Sequence, residues 1–180
     1  MNKKVLTIFV LLFLAAGLTP LAAAQAQSGK EGKGVAVITQ SFASQAIRPG
    51  ETWKVYLKAS APDGEMKNIF ALVEQPGVGP YPVGIIGIKK ENKKDLSGYL
   101  YLNTSTPRAS LEFVTLNLTV QIQDASGNFS PPVVFPLAFS SRSAQEMPPP
   151  GVFTEQDLGP IMVTLRIIDE GDHERRGRHK

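Results

Sequence analysis

The chain has 180 residues, of which 42% are hydrophobic and 19% are charged, a composition that suits one globular domain with a substantial core. The chain has 19 basic residues, and two of them, Lys3 and Lys4, lie just before an N-terminal apolar run. The remaining 17 basic residues nearly balance the 16 acidic residues. This balance disfavours nucleic acid as a partner. The absence of cysteine excludes disulfides, thiolate metal sites and cysteine nucleophiles.

Residues 1–26 have the pattern of a bacterial signal peptide. Lys3 and Lys4 form the positive start, residues 5–18 the apolar run, and Ala24-Gln25-Ala26 a small-x-small cleavage site. The apolar run is too short for a comfortable membrane span, and no later stretch exceeds it. We therefore expect export to the periplasm or the cell exterior, cleavage after Ala26, and no membrane span in the mature chain. A retained anchor is the alternative.

The first half of the mature chain predicts a series of short strands. Residues 27–33 are small and polar and predict a flexible lead-in, and an apolar run at 35–38 predicts the first strand of a domain that begins at residue 34. In the second strand Trp53 alternates with polar neighbours, so we expect it in the core, with an exposed ligand platform as the alternative. The proline-rich stretch 75–82 is interpreted as a crossing loop, because proline lacks the donor that a sheet ladder needs.

Further strands are predicted at residues 69–73, 83–88 and 96–102, with the charged run 89–95 as a solvated loop. The clearest pattern follows at 111–139, where aliphatic residues alternate with Thr, Asn and Gln and so share one face. Its centre, residues 124–128, is a polar turn that tolerates left-handed backbone angles. This segment predicts a β-hairpin.

The remainder of the chain is predicted to lie outside that domain. Residues 141–151 contain three consecutive prolines and predict a stiff linker. The alternating residues within 152–168 predict an extra strand, paired either with the same domain or with another molecule. Residues 169–180 mix both charges, lack apolar anchors and predict a disordered tail.

The turn chemistry also carries a resemblance. Residues 120–133, with their Asp-Ala-Ser-Gly-Asn turn, resemble the last hairpin of bacterial immunoglobulin-like and fibronectin type III-like modules, and the start of the second strand at residues 49–53 is similar to theirs. The resemblance covers residues 34–139 and implies that the domain, residues 34–140, is an all-β, antiparallel immunoglobulin-like β-sandwich of about seven strands, here with an extra C-terminal strand. Such modules have many unrelated functions.

Catalytic groups are scarce in the predicted domain. Both histidines, His173 and His179, lie in the charged tail, so a Ser-His-Asp triad is not expected and we predict no catalytic residue and no bound cofactor. In an immunoglobulin-like order the loops after the second, fourth and sixth strands gather at one end. The candidate ligand residues on those loops are Asp63, Glu65, Lys89, Lys93, Asp124 and Asn128.

The same loops suggest one metal. Their oxygen donors suit Ca²⁺, although lysines at positions 89, 90, 93 and 94 oppose a cation. The candidate calcium ligands are Asp63, Glu65, Asp95 and Asp124.

Three functions remain open at this point. The first is a non-catalytic binding or structural module of the bacterial envelope that holds a protein or glycan partner through its loops or a sheet edge. The second is a small exported hydrolase, or an enzyme accessory subunit, that uses paired carboxylates. The third is a strand-exchanging, chaperone-like accessory protein, suggested by the extra C-terminal strand.

Overall fold

The computed structural model describes residues 35–104 and 111–166. The predicted signal peptide, lead-in and charged tail lie outside these residues. Ten strands form the described part: β1 (Val37–Ala43), β2 (Ala46–Ile47), β3 (Thr52–Ser60), β4 (Met66–Gln75), β5 (Gly79–Pro80), β6 (Gly84–Gly87), β7 (Asp95–Asn103), β8 (Thr115–Asp124), β9 (Val133–Phe139) and β10 (Asp157–Pro160). A short 3-10 helix spans Lys90–Asn92. No helix within the described ranges is long and apolar enough to cross a membrane.

The strands form two sheets. Sheet A has the order β1-β3-β7-β10, and sheet B has the order β2-β9-β8-β4-β5, with β6 also paired to β4. Side chains from both sheets share one apolar core, so the all-β sandwich predicted from the sequence is confirmed. The pairing is antiparallel except for β2 with β9 and β10 with β7, which are parallel. The strand number exceeds the predicted seven and their C-terminal addition because the fold also uses the two-residue strands β2 and β5, whereas β6 is the strand predicted at residues 83–88.

The predicted hairpin is strands β8 and β9. Leu116, Leu118, Val120 and Ile122 are each at most 1% exposed, whereas the Thr, Asn and Gln residues between them are half-buried or exposed. Trp53 is also in the core, with no exposed surface, and its indole N–H donates to the carbonyl oxygen of Ser44 at 2.8 Å. Core placement of this tryptophan is therefore confirmed.

Three strand boundaries differ from the predictions. The first strand is Val37–Ala43, not residues 35–38, because its limits follow the register with β3 and not the apolar run. The stretch interpreted as a crossing loop contains β5, in which Pro80 pairs with Glu74, and an edge strand tolerates a proline whose nitrogen faces outward. The C-terminal strand is Asp157–Pro160, while residues 161–166 have no regular secondary structure.

The predicted linker and extra strand form a single segment that crosses the outer face of sheet A. We call this segment, residues 141–166, the strap. Its end is anchored by Ile161 and Leu165, which are 4% and 6% exposed within the common core. Beyond them the side-chain amide of Gln75 donates to the carbonyl oxygen of Arg166 at 2.7 Å, and the Arg166 N–H donates to the Tyr81 hydroxyl at 2.8 Å. The strap therefore pairs within the same chain.

Candidate functional site

The structure brings together the three loops predicted to form a binding end. The Ala125 N–H donates to the carbonyl oxygen of Glu65 at 2.8 Å, and the Met66 N–H donates to that of Lys93 at 2.7 Å. These backbone bonds tie the loop after β3 both to the loop before β7 and to the β8–β9 turn. We call this cluster, residues 61–65, 89–95 and 124–128, the loop end.

Opposite charges at the loop end neutralise one another in part. Lys93 and Glu65 form an ion pair with 3.1 Å between nitrogen and oxygen, and their side chains are 38% and 51% exposed. An ion pair this exposed contributes little to stability. Asp63, Lys89 and Asp95 also lie exposed at this end, so the surface carries both signs of charge and has no single electrostatic preference.

Asp124 has a structural role in its turn. Asp124 is 3% exposed. Its two carboxylate oxygens accept hydrogen bonds from the backbone N–H and the side-chain amide of Asn128 at 2.8 and 3.0 Å. Burial alone would raise the pKa of Asp124, but these bonds and those from the backbone N–H groups of Ser126 and Gly127 outweigh it and hold the pKa below its usual value. The carboxylate shapes the β8–β9 turn in which Gly127 has a φ of 91°.

The four candidate calcium ligands do not converge. Within residues 35–104 and 111–166, no group of three or more carboxylate or imidazole side chains is arranged to hold a metal ion. Asp124 already uses both of its oxygens on Asn128, and Glu65 is paired with Lys93. The loop end thus brings the predicted residues into one neighbourhood without assembling a cation site from them.

Two further carboxylates meet at the opposite end of the sandwich. Glu51 and Glu112 line an open depression of about 1060 Å³ together with Arg48 and Arg142. Glu51 accepts a bond from the Arg48 backbone N–H at 3.0 Å, and Glu112 accepts one from that of Ser141 at 2.9 Å. Glu51 therefore closes its own turn, whereas Glu112 ties its loop to the segment that follows β9, and both contacts are structural.

The outer face of sheet B is the surface that sequence reasoning missed. Ile85 on β6 lies opposite Phe70 on β4, which lies opposite Gln121 on β8. Leu72 lies opposite Thr119, which lies opposite Val134 on β9. These two cross-strand rows run side by side across the sheet.

Several apolar side chains on these rows face solvent. Val134 is 56% exposed, Ile85 is 61% exposed, and Val83 beside it is 49% exposed. Phe129, 44% exposed, packs edge-on against Phe70 with 5.0 Å between ring centroids. Because Phe129 directly follows the Asp124–Asn128 turn, this surface adjoins the loop end.

The polar groups of this surface are uncharged amides and hydroxyls, and the exposed Glu74 of β4, opposite Asn117, is a charged neighbour at its rim. The Asn68 amide donates to the Gln123 side-chain oxygen at 3.2 Å, and the Gln121 amide donates to the carbonyl oxygen of Ser130 at 3.0 Å. All the outward residues of β8 are Thr, Asn or Gln. We call this surface the sheet-B face and define it by its members: Asn68, Phe70, Leu72, Val83, Ile85, Asn117, Thr119, Gln121, Gln123, Phe129 and Val134.

The alternation of β8 already indicated that its outward side chains are uncharged. The apolar part of the surface comes from β4, β6, β9 and a turn, which come together only after folding.

No protein-family model and no curated protein matches this chain.

Proposed function

We propose that the protein is an exported, non-catalytic binding module of the bacterial envelope, and that a protein partner docks on the sheet-B face. The observation that carries the proposal is the exposure of Ile85, Val83, Phe129 and Val134 on one face, where Phe70 and Leu72 lie between them. Isolated exposed apolar residues are normal on proteins, but a contiguous apolar patch rimmed by polar groups is typical of an interaction site. The branched aliphatic members favour a protein over a glycan as the partner.

The strand order supports the immunoglobulin-like interpretation. Strands β1, β3 and β7 share one sheet, while β4, β8 and β9 share the other. The chain passes from β1 in sheet A to β2 beside β9 in sheet B. Sheets divided in this way are typical of immunoglobulin-like sandwiches, which commonly act as binding modules, and the leader pattern of residues 1–26 supports export.

The charge pattern predicts how binding depends on salt. The sheet-B face has no charged residue among its defining members, and Glu74 at its rim supplies a single charge, so docking there gains little from long-range attraction. Binding through the loop end would instead involve Lys89, Lys93 and Glu65 and would weaken as salt rises. We expect capture of the partner to change less than about threefold between 50 and 500 mM salt, a range that spans strong differences in screening.

The test uses the mature chain as bait for envelope proteins, with Ile85→Lys and Val134→Lys as surface variants. Both positions are more than half exposed, so the lysine side chains can reach water without unfolding the sandwich, while their charge opposes apolar docking. Met147→Lys, at an 80% exposed position on the strap, is the matched control. We expect the two face variants to lose the specifically captured protein and the control to retain it.

Other results of the capture experiment would assign the binding site or the ligand differently. Equal capture by all three variants contradicts the sheet-B face, and loss only on substitution of Lys89 and Lys93 would move the site to the loop end. Capture that is abolished by glycosidase treatment would identify a glycan instead. The mass of the purified mature protein tests export, with a new N-terminus at Gln27, or at Gln25 if cleavage follows Ala24.

A further inference from the structure

The strap occupies a groove on the outer face of sheet A whose floor is aromatic. Tyr56 of β3 lies between Phe42 of β1 and Tyr99 of β7, at centroid separations of 6.4 and 5.6 Å. Tyr101 continues the row at 6.4 Å from Tyr99. With the strap in place Tyr56 is only 4% exposed, so the strap covers the centre of this face, while Phe42, Tyr99 and Tyr101 remain half-buried.

The strap binds this groove partly through its backbone. The Tyr99 N–H donates to the carbonyl oxygen of Gln156 at 2.8 Å, and the Ile161 N–H donates to that of Tyr101 at 2.7 Å. Strand β10 thereby extends sheet A beyond β7 in parallel. Addition of an extended segment to a sheet edge is a general mode of peptide recognition.

Two glycines allow the close approach. A β-carbon at Gly98 would come within 2.9 Å of the Leu158 side chain and closer still to the Gln156 carbonyl oxygen. On the strap itself, Gly159 has a φ of 140°, and a β-carbon there would lie 2.8 Å from Ile86. Gly98 pairs with core-facing Leu57 and Ile86 belongs to sheet B, so the two glycines let β10 lie close against the edge of the sandwich, next to the aromatic groove.

Two strap side chains make the specific contacts. The ring of Phe153 packs on Tyr56 with 5.6 Å between centroids. Two residues later, the Glu155 carboxylate accepts hydrogen bonds from the Lys54 ammonium at 2.8 Å and from the Tyr56 hydroxyl at 2.9 Å. Lys54 also lies 4.1 Å from the centroid of the Tyr99 ring, a cation–π contact that orients it toward Glu155.

These contacts also set the charge state of the groove. The hydrogen bonds from Lys54 and then Tyr56 hold the pKa of Glu155 below its usual value. The bond with Glu155 raises the pKa of Lys54. Both groups are consequently ionised across the neutral range.

We infer that the outer face of sheet A is a recognition groove for an extended peptide carrying an aromatic residue followed two positions later by a carboxylate, and that the strap occupies it in cis. The ligand we propose is a partner segment with this pattern, because Phe153 and Glu155 of the bound strap show which side chains the groove accepts. Peptide binding in this groove of sheet A does not depend on partner docking at the sheet-B face.

Cis occupancy would make the groove competitive. A tethered segment has an effective concentration on the order of millimolar, so a free peptide of equal intrinsic affinity binds the intact chain only weakly. The strap between residues 141 and 156 has no regular secondary structure, and the Glu155 side chain is 61% exposed. Local opening of this part can therefore proceed while Ile161 and Leu165 remain in the core.

The probe is a fluorescent peptide of residues 150–156, the part of the strap that opens, titrated by anisotropy into the full mature chain. Because the double variant Phe153→Ala/Glu155→Ala weakens the cis occupant, we expect it to bind the peptide at least tenfold more tightly than the wild type. A control peptide with the same two alanines should bind that variant at least tenfold more weakly than the native peptide. Circular dichroism melts check that the variant retains a cooperative fold.

A second variant tests the groove with Phe153 and Glu155 retained. The chain has no cysteine, so Ser97→Cys/Thr154→Cys introduces a single thiol pair, at a place where the Thr154 N–H donates to the Ser97 hydroxyl at 3.1 Å. The oxidised form locks the strap in place and should bind the peptide at least tenfold more weakly than the reduced form of the same protein.

Three results would overturn the inference: equal peptide affinity of the wild type and Phe153→Ala/Glu155→Ala, undiminished binding by the oxidised lock, or no preference for the native peptide over its alanine control. Covalent dimers on oxidation would show that copies exchange straps, and would likewise overturn cis occupancy by the same chain.

Discussion

Replacing Leu118 with alanine tests the centre of the sandwich. Leu118 has no exposed surface and lies on β8 opposite Val73 of β4 and Phe135 of β9. Because strands flank it on both sides, the sheet cannot close around the lost volume. Transfer of the removed carbons accounts for about 2 kcal/mol, and the unfilled cavity adds enough to bring the expected loss to about 3–4 kcal/mol.

The measurement is urea denaturation of the mature chain. With a slope of about 2 kcal/mol per molar urea, Leu118→Ala should lower the midpoint by roughly 1.5–2 M. Thr119→Ala is the matched control, one residue along the same strand but on the outward side, and should change the free energy of unfolding by less than about 0.5 kcal/mol. One residue of register separates the two effects.

The refuting result is equal destabilisation by the two substitutions. It would mean that the faces of β8 are assigned wrongly, because only a residue pointing into the common core leaves a cavity when truncated. A small effect of Leu118→Ala with an unchanged Thr119→Ala would show that neighbouring side chains fill the space, which contradicts the rigid flanking argued above.

Two further predictions concern the loop end. The folded-state pKa of Asp124 lies below its unfolded value of about 3.9, so its stabilising effect is complete well above pH 4 and is lost as the pH falls through the folded-state pKa. Asp124→Asn should therefore be less stable than the wild type in urea at pH 7, and the difference in free energy of unfolding should shrink at pH 3. A difference that stays constant with pH would contradict this linkage. Calorimetry with Ca²⁺ should give no binding heat, since Asp63, Glu65, Asp95 and Asp124 form no ligand cluster, and a saturable heat that Asp63→Ala removes would contradict that geometry.

Much of the sandwich could be predicted because local pattern determines which side of a strand is buried. The strict alternation in β8 predicted its inward and outward residues, since a period of two leaves one register that buries the aliphatic side chains. The turn at Asp124 was equally predictable from residues that accept left-handed angles. The gathering of three loops at one end followed from the strand order that the resemblance implied.

The groove and its strap depended on contacts distant in sequence. Asp157–Pro160 contains a glycine and a proline and has no strand pattern, yet it pairs with β7 because an edge strand needs hydrogen bonds on one side only. The more regular alternation at residues 161–166 instead places Ile161 and Leu165 in the core without a ladder.

The sequence by itself therefore determined an all-β chain, the buried faces of its central strands and the core position of Trp53, because these follow from residue spacing along one strand. Only the tertiary structure decided which outward residues become neighbours. Ile85, Phe70 and Phe129 meet on sheet B, and Glu155 meets Lys54 and Tyr56 on sheet A. Such surfaces depend on the register between separate segments, which the pattern of any single segment does not contain.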